Sequence, residues 1–192
     1  MTKMKTIFAI IFLALLIPVL LAAPESEAKV YRGKYANNTK WSYDTKTKTV
    51  TIECRGELPD DHHGSAGWRD YYLKAKKVIF KKGITSIGAG AFDNFQKLEE
   101  VVLPERLETI KASAFFSCYR LKKINVPKTL RTIASDVFIA TKIESFSLRR
   151  VKKIGNMCFL DSKIKEVYLS KDCRSSSLVF WGCEKLKKVT LE

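Results

Sequence analysis

The sequence has few of the residues on which enzymes depend. Only two histidines occur among 192 residues, and they are neighbours, His62 and His63. No GxSxG, HExxH or glycine-rich phosphate-binding motif is present, and nothing selects a serine or cysteine as a nucleophile for these histidines. These absences argue against an enzyme, and we expect neither catalytic residues nor a cofactor.

Metal-ligand side chains are also scarce, and they crowd together only in the segment Asp60-Asp61-His62-His63. Adjacent residues point in different directions, whereas a metal needs three or four convergent donors. No third histidine completes a site, and none of the five cysteines has CxxC spacing. We therefore expect a polar loop here and no metal site.

Acidic residues are in deficit: 20 Asp and Glu face 35 Lys and Arg, which gives a formal net charge of +15. Such a charge attracts acidic proteins, sulfated glycans, lipid headgroups or nucleic acid. It raises encounter rates without naming a ligand, and it is equally compatible with a merely solvated surface.

Long apolar runs are absent except at residues 7–23, which carry no charge and follow Lys3 and Lys5. This pattern is typical of a secretory signal peptide. An uncleaved membrane anchor is the alternative, but it needs about 20 apolar residues, and this run is shorter and contains Pro18.

The small residues after the apolar run offer a cleavage site at Ser26-Glu27-Ala28, with Ala22 as a second choice. We expect a signal peptide over residues 1–28, a mature chain that begins near Lys29, and no membrane span after signal removal. The predicted localisation is secreted or cell surface.

Export permits disulfides, but an odd number of cysteines leaves at least one unpaired, and the sequence leaves the pairing open. These cysteines are Cys54, Cys118, Cys158, Cys173 and Cys183. Asn37, followed by Asn38-Thr39, would accept an N-glycan in a eukaryote.

What the sequence does contain is an internal repeat. Phenylalanines recur at spacings of 23, 23, 21 and 21 residues, at Phe92, Phe115, Phe138, Phe159 and Phe180. An isoleucine precedes the first four by five residues: Ile87, Ile110, Ile133 and Ile154. An alternating apolar pair follows each phenylalanine: Val101/Leu103, Ile124/Val126, Phe146/Leu148, Val167/Leu169 and Val189/Leu191.

Each alternating pair predicts a very short strand, and strands one period apart can stack into a parallel sheet. The Ala-Phe segment suits a short helical turn that packs its phenylalanine against the strands. A single unit buries too little apolar surface to fold alone, so the units are expected to be stable only as a stack.

The unit at residues 84–104, ITSIGAGAFDNFQKLEEVVLP, resembles that of the BspA-like leucine-rich repeat family, which is roughly LxxIGxxAFxxCxxLxxIxIPxx. The resemblance covers about residues 78–192, and the preceding segment is similar to the lead-in of bacterial members. Departures include Val137-Phe138 in place of Ala-Phe and Ser175 in place of the isoleucine, where we expect a looser surface. The resemblance implies a surface-exposed or secreted protein used in attachment.

The expected fold is an α/β-type solenoid of leucine-rich repeats, with short parallel strands and short helical turns, preceded by a small β capping unit. Its parts are the signal peptide (residues 1–28), the N-terminal cap (29–70) and about five repeats (71–192), the last cut short. Because the sequence stops directly after a strand, we expect either a truncated product or end-to-end self-association.

The strand-centre residues should form a column on the exposed sheet face, where repeat proteins usually bind. These candidate ligand contacts are Ile79, Val102, Asn125, Ser147, Tyr168 and Thr190. Alternatively, the face simply carries residues that favour strands. Lysine pairs precede three strands and form a candidate basic edge: Lys76, Lys77, Lys122, Lys123, Lys187 and Lys188. Acidic residues interrupt that edge, so a solvated, alternating surface is favoured over an anion groove.

The predicted function is adhesion or recognition of an extracellular or host protein through the sheet face. The alternative is charge-driven binding of anionic glycans or acidic surfaces, while no nucleic acid partner is expected. Salt distinguishes the two functions, because screening weakens charge-driven binding and leaves apolar contacts intact.

Overall fold

A computed structural model describes residues 27–61 and 64–192 of the chain. Of the predicted signal peptide, only the last two residues, 27 and 28, are described. His62 and His63 lie outside the described residues. Within the described ranges, no helix has the length and apolar character needed to cross a membrane.

The N-terminal unit is an antiparallel meander of β1 (Val30–Tyr35), β2 (Thr39–Asp44) and β3 (Thr49–Glu53). Asn37 and Asn38 adopt positive φ angles of 55° and 56° in the β1–β2 turn, as a tight hairpin requires. Strand β3 then pairs in parallel with the first repeat strand. The expected β cap therefore continues directly into the repeats.

In the front layer, the spatial order of the repeat strands follows their order in the sequence. One sheet continues from β3 through β5 (Lys77–Phe80), β7 (Glu100–Val102) and β9 (Lys123–Ile124). A second contains β11 (Ser145–Leu148), β13 (Glu166–Leu169) and β15 (Lys188–Leu191). All pairings among these repeat strands are parallel, and residues alternate between buried and more exposed along β5 and β11.

A second parallel sheet forms the back layer. It contains β4 (Gly56–Glu57), β6 (Ile84–Ile87), β8 (Thr109–Ile110), β10 (Thr132–Ile133), β12 (Lys153–Ile154) and β14 (Arg174–Ser175). The repeat isoleucines are aligned in this sheet, and Ser175 takes the last place beside Ile154. Residues 174–178 are all exposed, in agreement with the looser surface expected there.

The helical turns expected at the Ala-Phe segments are not helices. The helix in the described residues is a short 3-10 segment in the cap, Gly67–Tyr71. Residues two before and two after each repeat phenylalanine have φ between 51° and 70°: Gly90, Ser113, Asp136, Met157 and Leu178, then Asn94, Ser117, Ala140, Asp161 and Gly182. Left-handed residues cannot continue a right-handed helix, so each segment closes as a turn.

The repeat phenylalanines form one continuous stack through the core. Successive ring centroids, from Phe92 to Phe180, are 5.9, 5.9, 5.3 and 5.6 Å apart. Trp68 of the cap extends the stack at 5.9 Å from Phe92, and its indole N–H donates to the carbonyl of Ala91 over 2.8 Å. The stack ties the cap and the repeats into a single core.

Candidate functional site

The strand-centre column lies on the outer face of the front layer. Register places Ile79 beside Val102, and Tyr168 between Ser147 and Thr190. Asn125 and Ser147 are exposed, whereas the other four residues are half-buried. The structure thus aligns these side chains, and their contact with a ligand remains a prediction.

The front layer is interrupted between β9 and β11, and we call this interruption the seam. In the described residues, no strand pairing joins the two sheets of the front layer. Directly after β9, the Asn125 side chain accepts from the Leu103 amide (2.6 Å) and donates to the Leu103 carbonyl (2.9 Å), both in the preceding repeat. The side-chain amide of Asn125 therefore extends the pairing of β9 with the β7 repeat, and one of its donors and one of its acceptor positions are used within the fold.

A groove of about 370 Å³ runs along the front face beside the seam. It is lined by Glu100, Val101, Val102, Lys122, Lys123, Ile124, Asn125 and Ser145. Two residues of the column, Val102 and Asn125, thus meet two lysines of the predicted basic edge. Nothing in the repeat pattern predicted that these two sets of residues share one groove.

Glutamates of neighbouring repeats offset part of the basic edge. Lys77 pairs with Glu100 over 2.8 Å, and Lys122 pairs with Glu99 over 2.9 Å. The hydrogen bond from Lys122 lowers the pKa of Glu99 below its ordinary value. Lys76 and the pair Lys187-Lys188 are exposed, and Lys188 lies beside Glu166 in the ladder. Charges of both signs therefore alternate along this edge.

The side chain of Tyr168 is held by two neighbouring charged side chains. The Arg149 guanidinium lies over its ring, 4.6 Å from the centroid, and its hydroxyl donates to Glu166 over 3.4 Å. Arg149 also pairs with Glu192 over 2.9 Å. A ligand at Tyr168 would therefore contact the ring edge and the adjoining arginine together.

Sequence reasoning missed the basic turns that follow the front strands. The turns at residues 125–131 and 149–152 carry five cations: Lys128, Arg131, Arg149, Arg150 and Lys152. The available signal was the doublet Arg149-Arg150, which occupies the same repeat position as Lys81-Lys82.

Asp60 and Asp61 fix the loop between the cap and the first repeat. Buried Asp61 accepts from the amides of Ser65 (2.8 Å) and Ala66 (3.2 Å), while Arg69 bridges it to Asp93. Asp60 accepts from the Ala89 amide over 2.9 Å. Within the described ranges, no cluster of three or more His, Cys, Asp or Glu side chains could hold a metal ion. Both aspartates thus have structural roles.

All five cysteines are free thiols. Cys118 and Cys183 occupy equivalent repeat positions and donate to the carbonyls of Phe92 (3.2 Å) and Phe159 (2.9 Å). Burial raises the pKa of Cys118 to about 12, and it also raises that of Cys158. Because nucleophilic reaction needs the thiolate, these two thiols are packing residues. Asn37, the glycosylation candidate, lies in an exposed turn.

The fold defines a leucine-rich repeat solenoid built almost entirely of short parallel strands. The model of the BspA type leucine rich repeat region matches residues 70–191 in six copies. The chain belongs to this family. A search of curated proteins gives no match.

Solved bacterial leucine-rich repeat proteins share the fold at low identity. One from Eubacterium ventriosum is 20% identical with a TM-score of 0.76, over 87% of this chain and 45% of that protein. The Treponema protein named TpLRR (T. pallidum) is 18% identical with a TM-score of 0.56, over 87% of this chain and 70% of its own. One from Bacteroides ovatus is 15% identical with a TM-score of 0.51, over 72% and 46%. The chain thus spans less than half of the first and third proteins.

Proposed function

We propose that this protein is a non-catalytic recognition module, secreted or at the cell surface, which binds an extracellular or host protein through its front face. The observation that carries the proposal is the ladder of Thr51, Ile79 and Val102, which continues from the cap to β7. Ile79 and Val102 are only half-buried, while their neighbours Val78 and Val101 fill the core.

Apolar side chains that stay partly open beside a groove are typical of protein-binding surfaces. On this face they are bordered by lysines and glutamates, which would form the polar rim of an interface. The repeat shape, the apolar N-terminal segment and the attachment role implied by the family resemblance support the surface-exposed setting.

The test is binding of the purified protein to immobilised extracellular-matrix proteins and glycans at low and physiological salt. We expect salt-resistant binding to a protein, weakened at least tenfold by Val102→Lys or Tyr168→Lys. Thr109→Lys is the matched control, because Thr109 is also half-buried on a strand but lies in the back layer. Equal binding by Val102→Lys and Thr109→Lys would refute the front face as the recognition surface.

Charge-driven binding of anionic glycans is a second candidate, favoured by the net charge of +15 and by the basic turns. Its contacts should collapse between low and physiological salt. In that case Thr109→Lys should bind at least as well as the unchanged protein.

A further inference from the structure

The seam also opens on the turn side of the front layer, away from the face groove. A cavity of about 270 Å³ lies there between the turns at residues 125–131 and 149–152. It is lined by Val126, Pro127, Lys128, Leu130, Ser147, Arg149, Arg150 and Val151. The lining thus combines an aliphatic floor with three cations.

The cationic surface continues beyond this first cavity. An adjoining cavity of about 320 Å³ is lined by Arg131, Arg149, Arg150 and Lys152, so the two cavities share Arg149 and Arg150. The two turns carry five cations and no carboxylate. We call the joined cavities the turn groove.

Some of these cations are held in place, and others remain available. Arg131 donates to the carbonyls of Lys128 (2.8 Å) and Leu130 (3.1 Å) in its own turn. Arg149 uses Nε for Glu192 and stacks on Tyr168. Lys152 pairs with Asp172 over 2.9 Å. Within the described residues, Arg150 and Lys128 have no carboxylate partner. The groove therefore contains fixed guanidinium groups together with unneutralised charge.

We propose that the turn groove, which borders the front face at Ser147 and Arg149, binds a sulfated glycan. Guanidinium groups bind tetrahedral and planar oxyanions through paired hydrogen bonds. The two turns lie on either side of the seam and together carry five cations, more positive charge than one small anion neutralises. A linear chain with several sulfates can pair with cations of both turns.

The floor of the groove favours a saccharide over other polyanions. Val126 is half-buried and can contact the apolar face of a sugar ring, whereas Leu130 and Val151 are themselves buried. Sequence-tolerant binding of single-stranded nucleic acid depends on aromatic stacking platforms, and neither cavity is lined by an aromatic residue. A membrane surface would need apolar side chains that protrude, whereas these are recessed.

The experiment is calorimetric titration of the full-length protein with a heparin hexasaccharide at physiological salt. Lys128→Ala/Arg150→Ala should weaken binding at least tenfold. The matched control, Lys81→Ala/Lys82→Ala, removes the same charge from the equivalent turn of an earlier repeat, and it should change the affinity less than threefold. All four side chains are exposed, and circular dichroism would verify that both variants fold.

Comparison with other polyanions distinguishes a specific glycan site from general charge attraction. The desulfated hexasaccharide, a polyglutamate peptide and an oligothymidylate of matched charge should each bind at least tenfold more weakly than the hexasaccharide. Arg150→Lys should lose several-fold affinity despite its unchanged charge, because it lacks the planar fork. Equal losses in the two double variants, equal binding of the other polyanions, or no binding at all would overturn the proposal. Val102→Lys should leave hexasaccharide binding intact, so this result is independent of the front-face test.

Discussion

Replacing Phe115 by alanine is the most direct test of the phenylalanine stack. Phe115 is fully buried, and its ring lies 5.9 Å from those of both Phe92 and Phe138. Phe116, the next residue in the same turn, is 37% exposed. The same chemical change at adjacent positions therefore separates the core from the surface.

The expected cost follows from burial. Truncating a buried phenylalanine leaves a cavity and costs about 3–5 kcal/mol, and here it breaks ring contacts with two neighbouring repeats. For Phe116, the transfer of a partly exposed ring gives about 1–2 kcal/mol without a cavity. At about 2–4 °C per kcal/mol for a chain of this size, Phe115→Ala should lower Tm by about 6–20 °C.

Urea unfolding followed by circular dichroism and by tryptophan fluorescence would measure both variants. Coincident transitions would show that the cap, which contains Trp41 and Trp68, unfolds together with the repeats. If Phe115→Ala and Phe116→Ala lost the same stability, the repeat register that places Phe115 in the core would be wrong.

Two further changes test the backbone and the buried thiols. Ala140 has a φ of 58°, so Ala140→Gly should relieve about 1–2 kcal/mol of strain, offset by about 0.5–1 kcal/mol of chain entropy. The urea midpoint should rise for Ala140→Gly and fall for the control Ala134→Gly, where φ is not positive. A fall in both variants would contradict the left-handed conformation of Ala140. The raised pKa of Cys118, about 12 against an ordinary 9.0, means that above pH 9 the unfolded chain loses a proton that the folded chain keeps. The free energy of unfolding should therefore decrease from pH 9 toward 12, by about 1.4 kcal/mol per pH unit for each such thiol. Cys118→Ala should show a shallower slope in urea titrations across this range, and an unchanged slope would contradict the burial of the thiol.

The front strands were predictable because the spacing of their apolar residues is preserved. Pairs such as Val101/Leu103 and Val167/Leu169 alternate visibly, and their stacking follows from the fixed period. The back layer was not anticipated, because a two-residue strand such as Thr109–Ile110 has no alternation to detect. Its isoleucines were recognised as a column, but no local pattern showed that they pair in a sheet.

The turns around the phenylalanines were predicted as short helical turns for a related reason. Their left-handed positions are often occupied by residues other than glycine, as at Ser113, Ser117 and Ala140. A sequence reader expects glycine, asparagine or aspartate where φ is positive. Here the stacked repeats on either side hold the backbone through bonds such as Ser113 N–H to the Ser135 carbonyl (3.0 Å), and that constraint is invisible in one repeat.

The seam explains how a repetitive surface can acquire a specific site. A regular solenoid presents each ligand with several equivalent positions, so neither location nor register is selected. Spacing along the front layer changes from 23 residues between Val101 and Ile124 to 22 between Ile124 and Phe146, then to 21 up to Val167. The sheets part where this change occurs, with the face groove on one side and the turn groove on the other. Both grooves lie beside the same break in periodicity, so we expect that restoring a uniform repeat length removes both, whereas changing a single lining residue affects only one.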